Sequence, residues 1–160
     1  MRNESEQVVY LKDYAPTPYI VEHVELDVRL SADVAKVRAL LKFTPRESTR
    51  RGTPLVLDGD ELKLDSIAID GRPLALTAYS TTPTTLTIAE PPSKPFAVET
   101  EVTLHPETNT ALMGLYRSSG TWCTQCEPEG FRRITFYLDR PDVLAPFKVR
   151  MTADPKLAPV

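Results

Sequence analysis

Fifteen prolines limit what this 160-residue chain can fold into. Each removes a backbone donor and fixes φ, so none fits inside a central strand or a helix interior. Pro16, Pro18, Pro45, Pro54, Pro73, Pro83, Pro91, Pro92 and Pro95 fall between the apolar runs. That spacing leaves room for short strands and turns and argues against long helices.

The runs between the prolines carry strand periodicity. Over residues 19–30, Ile20, Glu22, Val24, Leu26, Val28 and Leu30 alternate with Val21, His23, Glu25, Asp27 and Arg29. The first set is expected to face a core and the second to face water. Residues 34–43 are ambiguous, because Val34, Val37, Leu40 and Leu41 would also suit a helix face. A neighbouring strand of similar length, the intervening LSAD and the closing Pro45 favour a strand. "LVLDG" and "LKLDSIAIDGRPL" end in Asp58-Gly59 and Asp70-Gly71 turn signals. "LTAYS", "TTLTIAE" and "FAVETEVTLHP" are rich in threonine and β-branched residues. Strands recurring at intervals of roughly 8 to 15 residues predict an all-β fold of curved sheets or a β-sandwich. With no repeat or internal linker, residues 1–160 are read as one β domain.

The last third alternates less cleanly. Asp139 is placed to cap a short helical turn near Pro141, and Phe147, Val149 and Met151 mark a final strand. No further element follows before "PKLAPV", which suits a domain taken from a longer protein.

Charge and hydropathy exclude several classes. A net charge of −3 and a pI near 5.5 give no basic footprint for nucleic acid or anionic lipid. No run approaches the roughly 18 apolar residues of a membrane span. The polar, charged N-terminus lacks the apolar centre of a signal peptide. The expectation is a cytoplasmic protein whose two cysteines are reduced.

Those cysteines, Cys123 and Cys126, form the one C-x-x-C. A structural zinc site needs four ligands, and the only histidines, His23 and His105, are far apart in sequence with no knuckle spacing. A redox pair needs a helix N-terminus to lower a thiol pKa, whereas this flank is strand-rich and acidic, with Glu127 adjacent. Packing residues are the simpler reading. No G-x-S-x-G and no phosphate cradle is present, and Glu127 and Glu129 alone would be a polar loop. By its residues alone the chain carries no active site, and a free-standing β-sandwich module for protein or carbohydrate stays open.

A resemblance adds to this. "GLY" at 114–116, "CTQCEPEGFR" at 123–132, "ITFYLDRPDVLA" at 134–145 and the early "YLKDYAPTPYIVEHVELDVRL" resemble the N-terminal domain of bacterial aminopeptidase N, of the gluzincin zinc metallopeptidases. The likeness runs along essentially the whole chain, and its middle matches only as a proline-punctuated β pattern. It implies a saddle-like β domain that covers the cleft of a catalytic domain. The family's H-E-x-x-H and G-[AG]-M-E-N motifs are absent from these residues. The resemblance therefore places the zinc ligands in a following catalytic domain, the partner that this chain lacks. It implies a peptide substrate, with Glu127 binding the free α-amino group and Gln125 lining the S1 pocket. The domain alone is expected to be inactive and to expose an apolar face prone to self-association. Arg132, Arg133, Asp139, Arg140 and Asp142 are read as bracing the loop, and Pro128 as stiffening it. Trp122, Phe131, Phe136 and Tyr137 are read as packing.

Overall fold

Alternation along the chain builds three β-sheets. The structure is a computed structural model that describes residues 10–156. Eleven strands form: β1 (Tyr19–Leu30), β2 (Ala35–Pro45), β3 (Leu55–Asp58), β4 (Lys63–Ile69), β5 (Arg72–Pro73), β6 (Tyr79–Thr81), β7 (Thr85–Ile88), β8 (Phe96–Leu104), β9 (Gly114–Ser118), β10 (Thr121–Gln125) and β11 (Phe147–Ala153). Helical structure among the described residues is limited to 3-10 turns at Leu11–Asp13, Pro106–Thr108 and Phe131–Arg133. The all-β expectation holds, and no described helix is long and apolar enough to cross a membrane.

The largest sheet has six strands in the order β11-β1-β2-β8-β4-β5. Its pairings are antiparallel except that β11 runs parallel to β1. Strands β3, β7 and β6 form a second sheet, and β9 with β10 a two-stranded ribbon. Val24, Leu26 and Val28 of β1, Val37, Leu41 and Phe43 of β2, and Val98 and Val102 of β8 point inward. Leu55 and Leu57 of β3 and Leu86 and Ile88 of β7 join the same buried cluster, so the two larger sheets share one core. The opposite face of the large sheet is charged and cross-linked. Arg38 on β2 meets Glu99 on β8 at 2.5 Å, Lys36 meets Glu101 at 3.4 Å, and Arg150 on β11 pairs with Asp27 on β1.

One face assignment changes. The register slips between Val21 and His23, where β1 bulges at Glu22. Tyr19 and Val21 are therefore buried together with Val24, Leu26, Val28 and Leu30, while Ile20 is half-buried and Glu22 exposed. A bulge inserts one residue into one strand and so inverts the in-out phase on one side of it. The ambiguous second segment is a strand: Ala35, Val37, Ala39, Leu41 and Phe43 are buried with a period of two.

The turn signals resolve into different structures. Asp70-Gly71 closes a two-residue hairpin between β4 and β5, both residues at positive φ, as a type I′ turn requires. Asp58-Gly59 instead passes the chain from one sheet to the other, since β3 pairs with β7 and β4 with β8. Near Pro141 the chain makes a single turn, closed by the Val143 N–H donating to the Arg140 carbonyl at 3.1 Å. Asp139 does not cap that turn. Its carboxylate faces back to the Phe131–Arg133 turn, where it accepts from the Arg132 N–H at 3.1 Å.

Candidate functional site

The β9-β10 ribbon carries the loop that holds Gln125 and Glu127. Ser119 and Gly120 join its strands with φ of 49° and 84°, another type I′ pair. Arg117 on β9 fastens the ribbon: its guanidinium lies 5.0 Å over the Trp122 ring, donates to the Gly120 carbonyl at 2.9 Å and pairs with Glu107 at 2.5 Å. Asn109 Nδ2 donates to the Met113 and Leu115 carbonyls at 2.8 and 3.0 Å. At the open end Gly114 pairs with Gln125. Gly114 sits at φ +71°, and a Cβ there would come within 2.6 Å of Arg133 Cβ, so the strand can start here only with glycine.

Residues 125–130 then turn tightly. The Gly130 N–H donates to the Cys126 carbonyl at 2.8 Å. A Cβ on Gly130 would stand 2.4 Å from the Gln125 carbonyl oxygen and 2.7 Å from Cys126 Cα, so the two ends of the loop touch backbone to backbone. Gln125 Nε2 donates to the Glu127 carbonyl at 2.8 Å. The Glu127–Pro128 peptide is cis, and Glu129 adopts a left-handed φ of 58°.

Two arginines brace this loop from below. Arg132 Nε donates to the Asp139 carboxylate at 3.0 Å and its Nη2 to the Asp139 carbonyl at 2.7 Å, and Glu129 lies 3.4 Å away. Asp58 of β3 reaches the same group at 4.0 Å and accepts from the Asp139 N–H at 3.0 Å. Burial pulls the Arg132 pKa down, but the Asp139 hydrogen bond and the charges of Asp58, Glu129 and Asp139 outweigh it, and the net shift is upward. Arg133 bonds Asp60 at 2.5 Å and also Glu61. The expected bracing by Arg132, Arg133 and Asp139 is present, and Arg140 pairs with Asp142 at 2.9 Å. The partners Asp58, Asp60 and Glu61 were not foreseen. The acidic run "LDGDE" and the "FRR" it holds lie more than seventy residues apart. Nothing local in the sequence connects them.

Both predicted site residues come together at the surface. Gln125 and Glu127 are exposed, and no partner for the Glu127 carboxylate occurs among the described residues. Cys126 beside it is half-buried against the core, and its thiol pKa is raised by burial and by the charges of Asp139 and Glu127. Cys123 on β10 is also a free thiol. Phe136 and Tyr137 are buried, and Trp122 and Phe131 pack on the core as expected. His23 lies on β1 beside Glu25 at 3.7 Å, and His105 follows β8, so the residues considered for zinc do not converge. Among the described residues, no three His, Cys, Asp or Glu side chains are grouped to hold a metal ion. The donors among the described residues do not fit a zinc site.

The loop presents an exposed carboxylate, that of Glu127, beside a set of ion-paired ones. Carboxylates outnumber the two arginines around it, and the outermost carboxylate is open. The model of the peptidase M1 N-terminal domain matches residues 19–159. This chain belongs to that family. The M1 N-terminal domain described here is 49% identical over 156 residues to the aminopeptidase N of Caulobacter vibrioides, covering 98% of this chain and 18% of that protein. Its fold superposes with a TM-score of 0.85 on the crystal structure of Legionella pneumophila aminopeptidase A in complex with aspartic acid, at 34% identity, over 94% of this chain and 18% of that one. An M1 zinc metallopeptidase of Deinococcus radiodurans shares the fold, with a TM-score of 0.70 at 20% identity over 86% of this chain and 33% of that one. The chain thus spans less than a fifth of the curated relative's length.

Proposed function

We propose that this domain serves a zinc-dependent aminopeptidase as the wall of the cleft that receives the substrate's first residue. It covers the active site of a following catalytic domain, with Glu127 binding the α-ammonium group and Gln125 lining the S1 pocket. The zinc ligands belong to that catalytic domain, and the domain alone has no hydrolytic activity. The enzyme acts on peptides in the cytoplasm, where free thiols such as Cys123 and Cys126 are ordinary.

The observation that carries this reading is the open carboxylate of Glu127 on a loop otherwise tied down by hydrogen bonds and ion pairs. A terminal ammonium is a compact cation with donors only. A carboxylate held in advance makes a short charge-assisted bond to it with little ordering cost. A fixed anchor also sets how far into the cleft the chain reaches, so that one residue is removed at a time. The match to an aminopeptidase N of which this chain covers 18% favours this reading over a free-standing binding module.

The test is Glu127→Ala in the full-length protein. A charge-assisted contact of about 1.5–3 kcal/mol predicts a kcat/KM on alanyl amides lower by about 12- to 150-fold. An unchanged kcat/KM removes Glu127 from the site.

A further inference from the structure

The amide of Gln125 is committed to the backbone of Glu127, and this gives Gln125 a role apart from lining a pocket. Gln125 is the last residue of β10, and its register with Gly114 fixes its backbone on the ribbon. On the far side, the Gly130 N–H bond to Cys126 and the bare Gly130 Cα against the Gln125 carbonyl close the loop. Between these fixed points the peptide group of Glu127 is tied back to the ribbon by the Gln125 Nε2 bond of 2.8 Å. Holding that peptide restricts where the Glu127 Cα sits, and with it the region its side chain can reach. The side chain at 125 must therefore reach two residues onward and donate. Asparagine is one methylene short, glutamate has no donor when ionised, and methionine has the length without the donor.

We propose that Gln125 is the positioning residue for Glu127: its side-chain amide holds the Glu127 carbonyl and so aims the carboxylate at the substrate's ammonium group. This rests on Glu127 being the ammonium anchor. Gln125 then acts on every substrate alike, through Glu127, while its aliphatic stem remains available to the pocket wall. A residue that only lined the pocket would instead change the ranking of substrate side chains.

The experiment is a double-mutant cycle in the full-length enzyme, using chromogenic amides of alanine and arginine. Q125M keeps the bulk and removes the donor. It is expected to lower kcat/KM about threefold to tenfold, the worth of one exposed neutral hydrogen bond, mainly through a higher KM. The factor is the same for both substrates, and Q125N and Q125E do not restore the loss. In the E127A background Q125M changes kcat/KM by less than about twofold, because the group it aims is gone. The assignment is overturned if Q125M behaves as wild type, if its loss is confined to one substrate, or if the full loss persists in E127A. If E127A alone has no effect, the reading of Glu127 falls first. If E127A has its full effect and Q125M fails any of these points, only the role of Gln125 falls.

Discussion

Cys126 and Glu127 are adjacent in the chain and face different surroundings. The thiol is half-buried against the core, and the carboxylate is exposed. Burial raises the Cys126 pKa first, and the charges of Asp139 and Glu127 raise it further. The sign is clear: above the ordinary thiol range the thiolate is scarcer at neutral pH, and the thiolate is the nucleophile. Cys126 is therefore expected to react with iodoacetamide more slowly at pH 7.5 than a cysteine in an unstructured peptide. Its rate should still be climbing where the pH passes the ordinary thiol value of 9.0. Glu127→Gln removes one of the raising charges and should speed the reaction. Site-resolved mass spectrometry follows Cys126 apart from Cys123, and a rate at or above the peptide's would contradict this placement. At this scale the pair Gln125 and Glu127 was legible only through the resemblance, since two exposed polar residues in a loop have no periodic signature. Gly130 was not singled out at all. Its close approach to the Gln125 carbonyl and Cys126 becomes visible only once the loop is folded.

Among the elements, β2 shows how sequence pattern and tertiary context divide the work. Its apolar positions suited a helix face, yet only Val37 and Leu41 of that set are buried, with Ala35, Ala39 and Phe43 filling the strand period. Leu40 lies on the charged side, lining a shallow cleft with Arg38, Lys148 and Arg150. Leu41→Ala is thus expected to cost about 2–5 kcal/mol of stability through the lost burial and the cavity left. Leu40→Ala should cost about 1 kcal/mol or less. Denaturant unfolding of the two variants checks this, and equal losses would fit a helical face instead. Short-range signals served well where the physics is short-range: the Asp70-Gly71 hairpin and the alternation of β8 follow from neighbouring residues. The bulge at Glu22 was not legible, because it depends on where Val21 and His23 meet Phe43 and Lys42 across the sheet. The parallel pairing of β11 with β1 was equally hidden, since it joins segments more than a hundred residues apart.

At the scale of the molecule, one sheet face forms the core, the other is a ladder of charge, and the ribbon carries the loop of Gln125 and Glu127. Asp58, Asp60 and Glu61 brace Arg132 and Arg133 from more than seventy residues away, so the loop of Gln125 and Glu127 depends on the fold as a whole although those two residues are only two positions apart. Strand β11 is one of the sheet's two edge strands, and Phe147, Val149 and Met151 are exposed on it. Recognition of a charged amine by Glu127 is separated from every other contribution by ligands that differ only in that group. Binding of an amino-acid hydroxamate and of its des-amino analogue is measured on the full-length enzyme and on Glu127→Ala. The substitution is expected to weaken the amine-bearing ligand by about 12- to 150-fold and to leave the des-amino ligand unchanged. Equal affinities before and after substitution, or equal losses for both ligands, would take the ammonium away from Glu127.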